Sequence, residues 1–269
     1  MSEPNLPSKS GHPRTGRDQE VDRYAAVRQY SLAQILGVWA AAAVPMGVLA
    51  WIVAPWLRDQ LGGDEPLAQS LLILLTLGLI WQFVLVVILV RRELGGLEWP
   101  RVRDALWLRP PRDPKTGRTG GRVWWWLLPF LFIFALEQFL PSIPGPAVRD
   151  FADFLDSDAG KDFFSGAWGW YAVIVVLAIF NTVLGEELLF RGLLLPRMKG
   201  ACGKYDWVVN GVLFATYHLH QPWDIPTALV DIFALSYPSR RFQSAWMGII
   251  VHSAQSVVIL IVVLTLVLD

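Results

Sequence analysis

The sequence predicts an all-α protein, a polytopic transmembrane helical bundle of about seven apolar segments. Three observations lead there. Hydrophobic residues make up 54% of the 269-residue chain and charged residues only 17%, where a soluble domain carries about 25% charged residues. Several apolar runs approach the ~20 residues that a helix needs to cross a bilayer. The chain also holds 14 tryptophans, which suit a protein with two membrane–water interfaces to line. Formal net charge is zero, so charge gives no case for a nucleic-acid partner. The lipid bilayer is the partner that the composition calls for. One cysteine, Cys202, excludes an intrachain disulfide and any multi-cysteine metal site.

The elements follow in order. Residues 1–31 are polar, with Pro, Ser, Gly and mixed charge, and read as a disordered cytoplasmic tail rather than a signal peptide. Residues 32–164 hold the N-terminal transmembrane helices and a basic connector. Residues 165–269 hold the remaining apolar segments and the polar motifs. The first segment, 32–56, contains Pro45, an expected kink. The second, 67–90, is almost free of charge. The connector 91–122 carries nine Lys and Arg, and its Trp99 and Trp107 place it partly at the membrane interface. The third segment, 123–140, opens with three tryptophans. A polar loop with a short amphipathic helix near 148–164 follows. The fourth begins at Trp168 and continues as helix to about Met198. The fifth, sixth and seventh are 207–220, 225–237 and 242–268. The fifth and sixth are short for a full span and suit tilted or protein-buried helices.

Lysine and arginine gather in the tail, the connector, the 197–205 turn and at Arg240 and Arg241, while the loops after the first and third segments hold few. Positive residues favour the cytoplasm. The N-terminus and the connector should therefore be cytoplasmic, in an integral protein of the plasma (inner) membrane.

Three polar groups stand where apolar helices need none. EELLFR places Glu186 and Glu187 deep in an apolar run, with Arg191 four residues after Glu187. Spacing i,i+4 puts Glu187 and Arg191 on one helix face as an ion pair. Glu186 points about 100° away and is left for other work. A carboxylate at the centre of a membrane helix costs roughly 2.5–3.5 kcal/mol on insertion scales, so the pair must be matched, protonated or used. FATYH brings His218 and HSAQS brings His252. At 1.5 Å per residue, Glu186, His218 and His252 lie about 20, 18 and 16 Å from one membrane face. A carboxylate and two imidazoles would meet near mid-membrane. Glu186, His218 and His252 thus fit a divalent metal site, with zinc as the expected ion, water in the open position and the other carboxylate as general base. The competing reading is a buried structural network that ties helices together. His220 lies near a helix end, where it could bond a backbone carbonyl. Asp231 is also within an apolar stretch, either beside a histidine or capped by a neighbour.

At these residues the chain resembles the CPBP family of membrane metalloproteases, the CAAX-protease and bacteriocin-processing or Abi family. Its pattern is EExxxR, then FxxxH, then HxxxN or HxxxD. Glu186, Glu187 and Arg191 match the first, Phe214 and His218 the second, and His252 the third. Ser256 stands where an asparagine is expected, with Gln255 beside it. The resemblance covers about 165–265. It implies a helical core with a cytoplasm-facing cavity and hydrolysis of a peptide bond in a lipidated or membrane-anchored peptide or protein. It implies that Glu186 or Glu187 activates water and that the histidines hold a metal or the oxyanion. Serine is a weaker neutral ligand than an amide carbonyl, so a non-catalytic scaffold or immunity protein, a pseudoprotease, is the alternative. A proton-relaying transporter would need paired broken helices or internal symmetry, and the sequence has neither.

Overall fold

The computed structural model describes residues 27–141, 143–146 and 148–269, without the side chain of Gln138. Residues 1–26 of the expected tail lie outside the described residues. Among those described, the protein is 78% helical with no strands. Four helices are long and apolar enough to cross a membrane: α1 (Leu32–Arg58), α2 (Pro66–Leu94), α7 (Trp168–Arg197) and the last helix, α11 (Ala245–Leu268). A shorter apolar helix, α4 (Gly121–Leu136), joins them. Between α2 and α4 lies α3 (Trp99–Ala105). Before α7 come α5 (Phe151–Asp156) and α6 (Asp158–Phe164). After α7 come α8 (Asp206–Tyr217), the four-residue α9 (Ile225–Ala228) and α10 (232–242).

Local chemistry explains the boundaries. Ser31 starts α1 with a capping box, its side chain accepting from the Gln34 backbone while Gln34 answers on the Ser31 N–H. Pro66 opens α2 at a position that needs no N–H, and Gly95 closes it in a left-handed conformation, φ 73°. Pro45 does not break α1, which passes through it and shifts into a π-turn at Leu49–Val53.

Four of the seven expected segments are spanning helices, a fifth is shorter, and two differ from expectation. The 207–220 segment stops being helix at Tyr217, because the His218 ring turns back onto the Phe214 carbonyl of the last turn and takes up one of its free acceptors. The 225–237 segment is broken: α9 ends at Ala228, and a π-turn at Ile232–Ser236 leads into a helix over Tyr237–Phe242. Such backbone is tolerated at membrane depth only where protein surrounds it. Ala234, Leu235 and Ser236 are fully buried. The expected tail also differs at its end. Val27 and Tyr30 are buried, Tyr30 N–H donates to the Arg197 carbonyl at 2.9 Å, and Gln29 bonds the Pro196 carbonyl at 3.0 Å.

The bundle has two distinct ends. At one, residues 27–31, the connector, the turn after α7 and the α10–α11 turn are stitched together: Arg112 N–H to the Phe242 carbonyl at 3.0 Å, and Ala245 N–H to the Trp107 carbonyl at 2.9 Å. At the other, Arg149 donates to the Ala50 carbonyl at 2.9 Å and Trp51 to the Leu219 carbonyl at 2.8 Å. The basic stretches thus share one end. Between the ends runs a core to which α1, α2, α4, α7, α8, α10 and α11 all contribute, with Met46, Leu189, Phe190, Phe214, Leu235 and Met247 among its members. Exposed apolar side chains such as Ile52, Phe132, Val258 and Ile261 face outward, as a surface in contact with acyl chains requires.

Candidate active site

The polar cluster is built around α7, α8, α10 and α11. Within α7, π-turns at Phe180–Gly185 and Leu188–Leu194 bracket Glu186 and Glu187. π-Turns inside helices are frequent at functional sites because they re-aim side chains. At Gly185 an added Cβ would collide with the Phe180 carbonyl and come within 3.0 Å of the Leu79 carbonyl. Glycine there lets α2 pass close to the glutamates.

Glu187 is fully buried and takes two partners on one oxygen. Arg191 Nη1 donates to its Oε1 at 2.8 Å, and His252 Nδ1 meets the same atom at 3.1 Å. Its other oxygen, Oε2, has no partner among the described residues. It lies over Gly248 of α11, where a Cβ would come within 2.5 Å of it and within 2.9 Å of Ser239 Oγ. Arg191 is itself fully buried and enclosed. Its guanidinium stacks 4.0 Å above the Phe214 ring and donates to Ser236 Oγ at 3.4 Å. Ser236 donates to Asn210 Oδ1 at 3.0 Å, and Asn210 donates to the Phe190 carbonyl at 2.8 Å.

Glu186 faces elsewhere. With its amide turned to donate, Asn181 reaches both Glu186 oxygens, at 2.9 and 3.1 Å. The Tyr217 hydroxyl also bonds Glu186, and Gln82 of α2 donates to that hydroxyl at 2.6 Å. Glu186 is therefore held rather than free, by residues whose roles the motifs did not signal. Asn181 is one polar residue in the apolar run before EELLFR. Tyr217 is hidden inside FATYH.

His218 sits just beyond α8. A carbonyl oxygen can only accept, so Nδ1 carries the proton and Nε2 keeps its lone pair. His252 is in the same state when neutral, since its Nδ1 faces a carboxylate oxygen. Phe214 lies between them, its ring 5.0 Å from His218 and 5.9 Å from His252. Tyr217 stands 5.2 Å from His218. His220 stacks on His218 at 5.5 Å, and its Nδ1 has no partner among the described residues. Asp231 is buried, with Oδ1 equally unpartnered and Glu137 as a charged neighbour. Ser256 is buried one turn beyond His252, and Gln255 is half-buried.

The structure thus brings Glu187, Arg191 and His252 into direct contact, while Glu186 bonds Tyr217, and Tyr217 and Phe214 stand beside His218. The expected ligand set of Glu186, His218 and His252 fits a metal only in part. Each histidine is backed by a carbonyl or carboxylate, as metal-binding histidines are. Yet among the described residues no three His, Cys, Asp or Glu side chains come close enough together to hold an ion. The carboxylate beside His252 is Glu187, whose Oε1 is already shared with Arg191.

Sequence comparison is concentrated on this segment. No curated protein and no solved structure matches the chain. Residues 168–258 match the family described as type II CAAX prenyl endopeptidase Rce1-like. The matched stretch contains both glutamates, Arg191, His218, His252 and Ser256. Over α7 through the first half of α11 the chain is thus similar to Rce1-like proteins, a likeness consistent with a protease of the CPBP family, and its four apolar helices fit an integral membrane protein.

Proposed function

We propose that the protein is an intramembrane endopeptidase that cleaves a lipidated or membrane-anchored peptide, with Glu186 as general base. The observation that carries this reading is the division of labour between two adjacent buried glutamates. Glu187 is committed to Arg191 and His252, whereas among the described residues Glu186 bonds neutral donors, Asn181 and Tyr217, that orient a carboxylate without neutralising it by a salt bridge. The Rce1-like match supports an endopeptidase of the CAAX-protease kind.

In this reading Glu186 takes a proton from water, and the hydroxide formed attacks the scissile carbonyl carbon. The C–N bond then breaks, and Glu186 returns the proton to the leaving amine nitrogen. His218 accepts from that water at Nε2 and orients it, because its Nδ1 proton is occupied by the Phe214 carbonyl. His252 enters the cycle with a second proton taken from solvent at Nε2, donates from it to the developing oxyanion and keeps it, while Glu187 at Nδ1 offsets the charge. Arg191 is a positioning residue: it holds Glu187. Since three donors are not gathered, no step runs through a metal.

The test uses purified protein in detergent or vesicles with prenylated and membrane-anchored peptides. Wild type should cleave, and Glu186→Gln should lose on the order of 10²–10⁴-fold in rate with unchanged thermal stability. Chelation should leave the rate unaltered. Inhibition by chelator with recovery on added zinc would instead establish a metal requirement, and loss of bound zinc in Glu186→Gln, His218→Ala and His252→Ala would assign the set, with Ser256→Asn then expected to tighten metal binding. If wild type and Ser256→Asn both cleave nothing, while Glu186→Gln and His252→Ala are as stable as wild type, the endopeptidase reading fails in favour of the scaffold.

A further inference from the structure

Away from the glutamates, the connector end of the bundle holds a cavity of about 630 Å³, within the ~300–1,000 Å³ of small-molecule sites. Arg112, Lys115, Lys204, Arg240 and Arg241 line it. They come from three separate stretches of chain, and the fold fixes their meeting. Arg112 N–H bonds the Phe242 carbonyl at 3.0 Å, and the turn that carries Lys115 is closed by Gly117 N–H on the Asp113 carbonyl at 2.8 Å. Two carboxylates oppose these charges. Asp113 accepts from Lys115 N–H and Thr116 Oγ1, both at 2.9 Å. Those bonds, the Lys115 N–H foremost, hold its carboxyl below the usual range, so it is ionised at neutral pH. Asp206 pairs with Arg240 at 3.2 Å. Among the described residues, Lys115, Lys204 and Arg241 thus add their charges beside the Arg240–Asp206 pair, and cations outnumber carboxylates.

One wall is aromatic. Trp207 and Tyr237 line the cavity, with ring centroids 5.2 Å apart. Tyr205, Trp99, Trp125 and Trp126 are exposed at the same end. Tryptophan and tyrosine collect at headgroup depth, and cations there attract anionic lipids. One turn deeper along α8 and α10, Val212 and Phe233 present exposed apolar surface, with Phe233 packed 5.8 Å from Trp207.

We propose that this cavity binds the phosphate-bearing headgroup of an anionic phospholipid, with the acyl chains lying along Val212 and Phe233. The cations match the phosphate, the aromatic wall sets the depth, and the apolar surface below takes the chains. A soluble acidic peptide would use the first of these features but not the other two.

The test is native mass spectrometry of the full chain titrated with phosphatidylglycerol, phosphatidylcholine or glycerol phosphate. Wild type should retain phosphatidylglycerol in preference to phosphatidylcholine. The triple variant Lys115→Gln, Lys204→Gln, Arg241→Gln should bind phosphatidylglycerol roughly 100-fold more weakly, at about fivefold per juxtamembrane cation. Arg58→Gln, at the opposite end, should change nothing. Thermal unfolding without lipid checks that the triple variant is folded. Should it unfold, Lys115→Glu alone, on an exposed turn, must weaken binding roughly 25-fold, at the same fivefold for each of two charge units. Equal retention of both lipids, or undiminished phosphatidylglycerol binding in the folded variants, would overturn the proposal. So would glycerol phosphate binding as tightly as the lipid, which would make the site one for a soluble phosphate.

Discussion

Arg191 shows how a single buried charge is made tolerable. Its guanidinium lies between the Glu187 carboxylate and the Phe214 ring, with Ser236 as a third contact. Removing one partner of a buried ion pair leaves the other uncompensated, at about 3–5 kcal/mol. Arg191→Ala should therefore cost stability on that order as well as activity. Arg191→Lys keeps the charge but gives up the planar stack and the fork, so it should recover part of the stability and little of the activity. Denaturation midpoints measured beside cleavage rates decide this, and a fully stable, active Arg191→Ala would refute the pairing argument. Gly248 is the complementary case. Alanine there would put a methyl carbon 2.5 Å from Glu187 Oε2 and 2.9 Å from Ser239 Oγ. Overpacking of this kind costs about 1–3 kcal/mol. Gly248→Ala should displace Glu187 and slow turnover, while Gly37→Ala, where a Cβ meets nothing, should be silent in both assays.

Helix α7 is secured at its connector end by a second buried arginine. Arg197 forms two bonds with Glu93 of α2, at 2.9 and 3.1 Å, and donates to the Ala105 and Leu193 carbonyls at 3.0 and 2.9 Å. Glu93 and Ala105 lie on α2 and α3, which frame α7, while Leu193 is one turn earlier on α7 itself. Arg197→Met should destabilise by about 3–5 kcal/mol because Glu93 is left buried without its cation. The double variant Arg197→Met, Glu93→Gln should recover part of that loss, and a thermodynamic cycle reads the coupling. Additive losses would mean that the pair does not couple. The sequence made some elements plain and hid others for physical reasons. Long apolar runs announced α1, α2, α7 and α11, since length and hydropathy alone decide a spanning helix. EELLFR placed the Glu187–Arg191 pair, since i,i+4 spacing survived the adjoining π-turn. The π-turns themselves left no such mark, so which glutamate would meet His252 was not legible. The break of the sixth segment at 229–230 was also hidden, because Leu229 and Val230 are apolar and only tertiary burial permits irregular backbone there. Asn181 and Tyr217 were invisible as partners of Glu186 because their reach depends on the turn of α7 and the end of α8.

At the scale of the whole molecule, the two ends of the bundle differ in kind, and this makes the orientation testable. The connector, the turn after α7 and the α10–α11 turn are joined at one end, and they carry most of the basic residues. Cytoplasmic loops hold the excess of Lys and Arg, so that end is expected to face the cytoplasm. The sole cysteine, Cys202, lies there in the short helix Lys199–Cys202 and is half-buried. It is thus a native reporter that requires no engineered label. Burial, followed by the nearby Asp206 charge, raises the thiol above its ordinary pKa. The thiolate is the nucleophile, and a raised pKa leaves less of it at neutral pH. Labelling by a membrane-impermeant maleimide should accordingly be slow near pH 7 and accelerate as pH rises. It should occur in inverted vesicles, where the cytoplasmic face is outward, and fail in intact cells until they are permeabilised. Cys202→Ser should remove the signal altogether. Labelling of intact cells with none in inverted vesicles would reverse the orientation, and with it the face from which a substrate would reach Glu186.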